Sequence, residues 1–136
     1  MTVSHAGNPF VALIQAAAQR DGEAFAARMA ESSLQAAVDI WLKRVARRKV
    51  TPARRARLVK AVERASAAET KEVQLTRAAL LRAAGLDERP AAAAAVAAGA
   101  TYTEGGAVLG MTQQGASARI RPYLTGRRDG SGGGLS

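Results

Sequence analysis

The chain reads as an all-α protein, a helical bundle with a C-terminal helix-turn-helix. Three observations predict this. Leu34, Val38, Trp41 and Val45 follow one another at intervals of four, three and four, which puts them on one helical stripe. Thr51-Pro52 joins a capping residue to a proline suited to the first turn, a helix start signal. Gly85 and Gly110 stand where helices are expected to stop, and glycine takes the left-handed conformation of such a stop without steric cost.

Taken in order, the elements begin at Pro9, which suits the first turn of a helix running to about Arg20. Asp21-Gly22 is expected to break it. A second helix is expected from Glu23, with Phe25 and Met29 on one face, and Phe10 and Phe25 are expected in the core. Ser32-Ser33 either interrupts this helix or caps the next, which carries the stripe from Leu34 and buries Trp41. From Pro52 to about Ala84 no stop signal occurs, and an apolar line runs through Leu58, Val62, Ala65, Val73, Thr76, Leu80 and Ala83. At ~1.5 Å per residue such a helix is roughly 50 Å long. In a chain of this size it either kinks near residues 65–72 or is shared with a second subunit. Asp87 and Glu88 then open a helix through Ala98, with their charges at the positive end of its dipole.

Residues 99–123, GATYTEGGAVLGMTQQGASARIRPY, carry the most information. Thr103 is placed to cap a helix from Glu104 to Leu109. Gly110 supplies the turn, Met111 a buried plug, and Thr112 the cap of the next helix. That helix presents Gln113, Gln114, Ser117 and Arg121, polar and cationic groups suited to base edges. It is expected to end by Arg121, because Pro122 disfavours helical geometry in its predecessor. The competing assignment is an ordinary helical hairpin with a glycine turn.

This segment resembles the helix-turn-helix of bacterial DNA-binding proteins, in the version common in small actinobacterial proteins and their phages. Gly99, Ala100, Thr101, Tyr102, Glu104, Gly106, Leu109, Gly110, Met111, Thr112, Gln114, Ala116 and Arg119 carry the resemblance, which covers about a fifth of the chain. Tyr102 stands where the family usually has Trp, and Gly105 where it keeps an apolar side chain facing the core. The resemblance implies a unit that reads the major groove of double-stranded DNA through Gln113, Gln114, Ser117 and Arg121. Thr101, Tyr102, Thr103 and Thr112 would then touch the backbone, with Arg119, Arg127 and Arg128 adding positive charge.

The charge is unevenly placed. Lys43, Arg44, Arg47, Arg48, Lys49, Arg54, Arg55, Arg57, Lys60 and Arg64 face only Glu63 across residues 43–64, a local balance of +9. The remainder of the chain is neutral, so the entire net charge of +9 resides in this segment. As a functional patch it holds DNA phosphates without reading sequence, with Lys43, Arg44, Arg47, Arg48, Arg54, Arg55 and Arg57 as the contacts. The competing reading is a solvated face that aids solubility or pairs with acids elsewhere.

Composition limits the rest. The 136 residues allow one domain with a small appendage. Apolar residues make up 48%, but 33 of them are alanine, and Leu, Ile, Val and Phe together number 26. A thin core follows, since each Ala buries little area. With no Cys, disulfides and thiolate metal sites are excluded. The single histidine, His5, reads as a solvated bystander. No apolar run approaches the ~20 residues of a membrane span, and the start lacks a signal-peptide pattern. A cytoplasmic, nucleoid-associated protein is therefore expected, without membrane or small-molecule ligand.

The residues fall into an N-terminal helical part (1–50) able to dimerise, a long basic helix (51–85), the helix-turn-helix unit (86–124) and a flexible tail (125–136). No phosphate loop, metal-ligand spacing or nucleophile–base pair occurs, so no cofactor and no enzymatic activity are expected. The favoured expectation is a homodimeric, sequence-specific DNA-binding regulator. The alternatives are a nonspecific nucleoid-type protein, or a phage assembly or packaging adaptor.

Overall fold

The computed structural model describes residues 9–131, and among them no strand occurs. Six α-helices and one π-helical segment are described: α1 Pro9–Ile40, the π segment Trp41–Ala46, α2 Pro52–Glu63, α3 Thr70–Ala83, α4 Arg89–Ala97, α5 Tyr102–Leu109 and α6 Gln113–Ser131. The fold is all-α. None of these helices is long and apolar enough to cross a membrane.

The breaks expected at Asp21-Gly22 and Ser32-Ser33 do not occur, and α1 runs through both. Gly22 has open space around it. Its cost is then only the ~1 kcal/mol of helix propensity lost relative to Ala, in a segment otherwise rich in Ala. Ser33 serves a tertiary contact instead of a cap, accepting a 2.8 Å hydrogen bond from Arg77 Nε on α3.

The chain divides into two units at the Ser32/Ser33 boundary. In the first unit the described residues all belong to α1. Phe10 is 68% exposed and Phe25 62%, which corrects their expected place in the core. The physical reason is that one helix offers no second apolar layer to cover them. Leu13, Ile14 and Met29 are exposed on the same helix.

The second unit holds two apolar clusters. In the first, Leu34, Ala37 and Val38 of α1, Trp41 and Leu42 of the π segment, Val59 and Val62 of α2, and Val73 of α3 are buried together. In the second, Ala78 of α3 meets Ala91, Ala92 and Ala93 of α4, Leu109 of α5, and Ala116 and Ile120 of α6. Helix α3 therefore contributes to both.

The π segment changes the register of the stripe. Its i→i+5 bonding adds a residue to the turn after Trp41. Ala46, five residues on, becomes half-buried, and Val45, four residues on and expected inside, is 56% exposed. Arg47 ends the segment in left-handed geometry, with φ 52°. Trp41 is core as expected, 3% exposed, with its indole N–H donating to Glu72 Oε1 at 3.1 Å.

Thr51 caps α2 by accepting from the Arg54 amide, and Pro52 occupies its first turn, as the local signals require. Pro52 to Ala84 is not one helix: it breaks between Glu63 and Thr70, around the residues where a kink is one of the two expected alternatives. The chain leaves α2 at Glu63, turns through Ala65 at φ 59°, and re-enters helix at Thr70. The buried Thr70 hydroxyl fixes this turn by accepting from the Ala67 amide at 3.2 Å.

At the other end, α6 runs past Pro122 to Ser131, beyond the expected stop at Arg121 and into the stretch expected to be a flexible tail. Pro122 and Ala118, four residues earlier, are both exposed. The backbone bond that proline removes is lost on the solvent side of the helix.

Candidate nucleic-acid interface

The turn between α5 and α6 is built by local chemistry. Gly110 ends α5 with φ 72°. Thr112 then caps α6, its hydroxyl accepting from the Gly115 amide at 3.0 Å. Gly106 lets the turn fold back on α5. A Cβ at this position would stand 2.6 Å from the Met111 carbonyl oxygen and 3.0 Å from that of Thr112, too close for any side chain. Met111 is half-buried against the second cluster, partly filling its expected role as plug.

The start of α5 differs from expectation. Thr101, two residues before the expected cap Thr103, begins the helix in a reciprocal capping box. Its hydroxyl accepts from the Glu104 amide at 3.0 Å, while Glu104 Oε1 accepts from the Thr101 amide at 2.9 Å. That backbone donor, followed by Lys71 Nζ at 3.2 Å from Oε2, lowers the Glu104 pKa below its ordinary value. Thr103 lies within α5 as an exposed residue. Gly105 faces the core, and Ile120 reaches toward it from α6, its Cδ1 3.5 Å from where a Cβ would stand.

Gln113, Gln114, Ser117 and Arg121 lie together as expected. With Tyr102 and Ala118 they line one open groove of about 460 Å³. Gln113, Gln114 and Arg121 are exposed, while Ser117 and Tyr102 are half-buried. Tyr102 leans on the second cluster and so joins the groove to the core.

Arg119 is differently placed. Its Nε and Nη2 donate to the two carboxylate oxygens of Glu88, and Arg82 Nη1 lies 3.5 Å from the same group. Glu88 is 1% exposed. The hydrogen bond from Arg119 is the main cause of a pKa held below the usual glutamate value, against the opposing effect of burial. A guanidinium engaged at two nitrogens is an internal strut between α6 and the residue preceding α4, and the Arg119 side chain, expected as a backbone contact, stays partly exposed. Next to it, the Arg89 guanidinium grips Asp87 and lowers its pKa to about 2. Arg89 also stacks 5.0 Å from the Tyr123 ring centroid. Arg127 and Arg128 lie outside the residues whose side chains are described, and His5 lies outside the described residues.

The basic segment forms a second concavity, of about 750 Å³, around the π segment and the loop that follows it. Lys43, Arg44, Arg47, Arg48 and Arg55 line it, as does Lys49, which the sequence reading placed in the charge cluster but not among the contacts. Arg54 and Arg57, expected as contacts, are exposed on α2 outside this lining. Two cations of the lining are engaged. Arg55 forms a fork on Asp39, with bonds of 2.5 and 2.9 Å, raising its own pKa and lowering that of Asp39. Arg48 lies 5.0 Å from the Trp41 ring centroid and 3.5 Å from Glu69. Lys43, Arg44, Arg47 and Lys49 form no ion pair among the described residues.

Comparison with protein-family models, with curated proteins and with solved structures finds no match to this chain.

Proposed function

We propose that this chain is a sequence-specific double-stranded DNA-binding protein, a transcriptional regulator that reads the major groove through α6. One observation carries the reading: Gln113, Gln114, Ser117 and Arg121 share a single open groove at the capped N-terminal half of α6. Glutamine pairs in bidentate fashion with adenine, and arginine with guanine, at major-groove edges. A helix that begins in a tight turn and offers these side chains fits the docking mode of a recognition helix.

The proposal includes a homodimer on the bacterial nucleoid. Exposed Leu13, Ile14, Phe25 and Met29 on α1 favour self-association, because apolar side chains grouped on one helix gain by mutual burial. The second reading, a nonspecific architectural protein, is favoured by the +9 segment, whose charge attracts any duplex.

Selection of bound duplexes from a random DNA pool, at about 150 mM salt, separates the two. The expected result is an enriched inverted repeat with half-sites ~10 bp apart. Recovery of unenriched duplexes would replace the regulator with the architectural protein, and failure to retain any duplex would overturn both.

A further inference from the structure

The concavity around the π segment has the features of a built anion site. Its volume, about 750 Å³, falls within the range of small-molecule pockets, ~300–1,000 Å³. Among the described residues six cations and one acid line it, and that acid, Asp39, is already held by Arg55. Lys43, Arg44, Arg47 and Lys49 form no ion pair among the described residues. Leu42 and Val50 add apolar surface to the lining.

The backbone is unusual at the same place. Most of the lining comes from a π-helical turn and the loop directly after it, and Arg47 holds a left-handed φ of 52°. Both features are uncommon, and both concentrate at functional sites. Two bonds lock the local path, the Arg47 and Arg48 amides each donating to the Leu42 carbonyl. Arg48 and Arg55 are fixed by their own partners, leaving the other four cations to close on a guest.

We propose that this concavity is a discrete pocket for a compact polyanion of the phosphate class. The guest is either a phosphate run of a nucleic-acid backbone or a free polyphosphate, such as the phosphate tail of a nucleotide. Lys43, Arg44, Arg47 and Lys49 contact it, while Arg48 and Arg55 shape the walls. The inference does not rest on the DNA-reading role of α6.

The test is calorimetric titration of the full chain with inorganic tripolyphosphate, against sodium sulfate at matched ionic strength. Tripolyphosphate is expected to bind one site per chain, and sulfate far more weakly. Arg47→Gly removes a guanidinium at a position whose φ suits glycine, and Lys43→Gln removes a charge without touching the backbone. Each is expected to weaken binding about tenfold, while Lys60→Gln, an equal loss of charge on exposed α2, changes it less than about twofold. Similar losses from all three substitutions would show a diffuse field and overturn the pocket, as would equal binding of sulfate. Thermal melts of each variant separate lost binding from lost fold. A duplex added to the tripolyphosphate-saturated chain then identifies the source. Displacement of one by the other supports a backbone phosphate, and a ternary complex supports a free polyphosphate. Failure here leaves the pool selection unaffected, so the two readings stand or fall separately.

Discussion

Glu88, buried just before α4, holds the guanidinium of Arg119 on α6 through both of its carboxylate oxygens. The pair links residues 31 apart in sequence and fixes the orientation of the helix that bears the candidate reading groove. Glu88→Gln removes the negative charge while keeping the shape. A loss of about 1–3 kcal/mol is expected, less than for a fully buried pair because Arg119 and Arg82 are partly exposed. Chemical denaturation measures it. Arg55→Gln, which breaks an exposed pair with Asp39, is expected to cost under about 1 kcal/mol.

Acid should act on the same corner. Asp87 and Glu88 have folded pKa values below their ordinary ones, Asp87 falling from 3.8 to about 2. A depressed carboxyl stabilises the fold above its unfolded pKa, and that contribution is lost as pH falls through the folded value. The melting temperature is therefore expected to decline as pH drops below about 4.5 and on toward 2. In Glu88→Gln the decline should be shallower. An identical slope in wild type and variant would remove Glu88 from the account.

Adjacent glycines should respond in opposite directions. Gly105→Ala places a methyl in ordinary contact with Ile120, at 3.5 Å, and gains up to ~1 kcal/mol of helix propensity. Gly106→Ala drives a methyl into the Met111 carbonyl and is expected to cost about 1–3 kcal/mol. Melting temperatures of the two variants test this directly. Helix propensity alone treats both glycines as equally weakening for α5, and the return of the turn gives them opposite signs.

Ile120 is fully buried in a cluster otherwise made mostly of alanine. Small neighbours cannot close a gap of that size, so Ile120→Ala is expected to cost about 2–5 kcal/mol, read by denaturant midpoint.

Gln114→Ala is expected to relax preference at one position of any selected DNA motif, while Arg57→Ala, exposed on basic α2, weakens all duplexes alike and flattens the salt dependence. An unchanged motif from the Gln114 variant would remove the reading role from this part of α6.

What was legible in the sequence was local. Thr51-Pro52, Gly110 and Thr112 act within three or four residues, and each forms the cap or turn its chemistry dictates. The grouping of Gln113, Gln114, Ser117 and Arg121 follows from helical periodicity alone. The π segment was not legible, because one extra residue in a turn leaves no local signature. A kink near residues 65–72 was legible as one alternative from helix length, but not the left-handed turn at Ala65, since alanine favours helix. The positive φ of Ala65 lies in the turn between α2 and α3, whose Val62 and Val73 share the first cluster. Gly22 and Pro122 signalled breaks that their exposed surroundings did not require. The partner of Arg119 was hidden by sequence distance.

Helix α3 gives Val73 to one cluster and Ala78 to the other, within five residues. Neither cluster can lose this wall while the other keeps it, so heat should dissolve both in a single cooperative step. Trp41 emission follows the first cluster, and the ultraviolet absorbance of Tyr102 and Tyr123 follows the second. Coincident midpoints from the two chromophores are the expected signature of that shared wall.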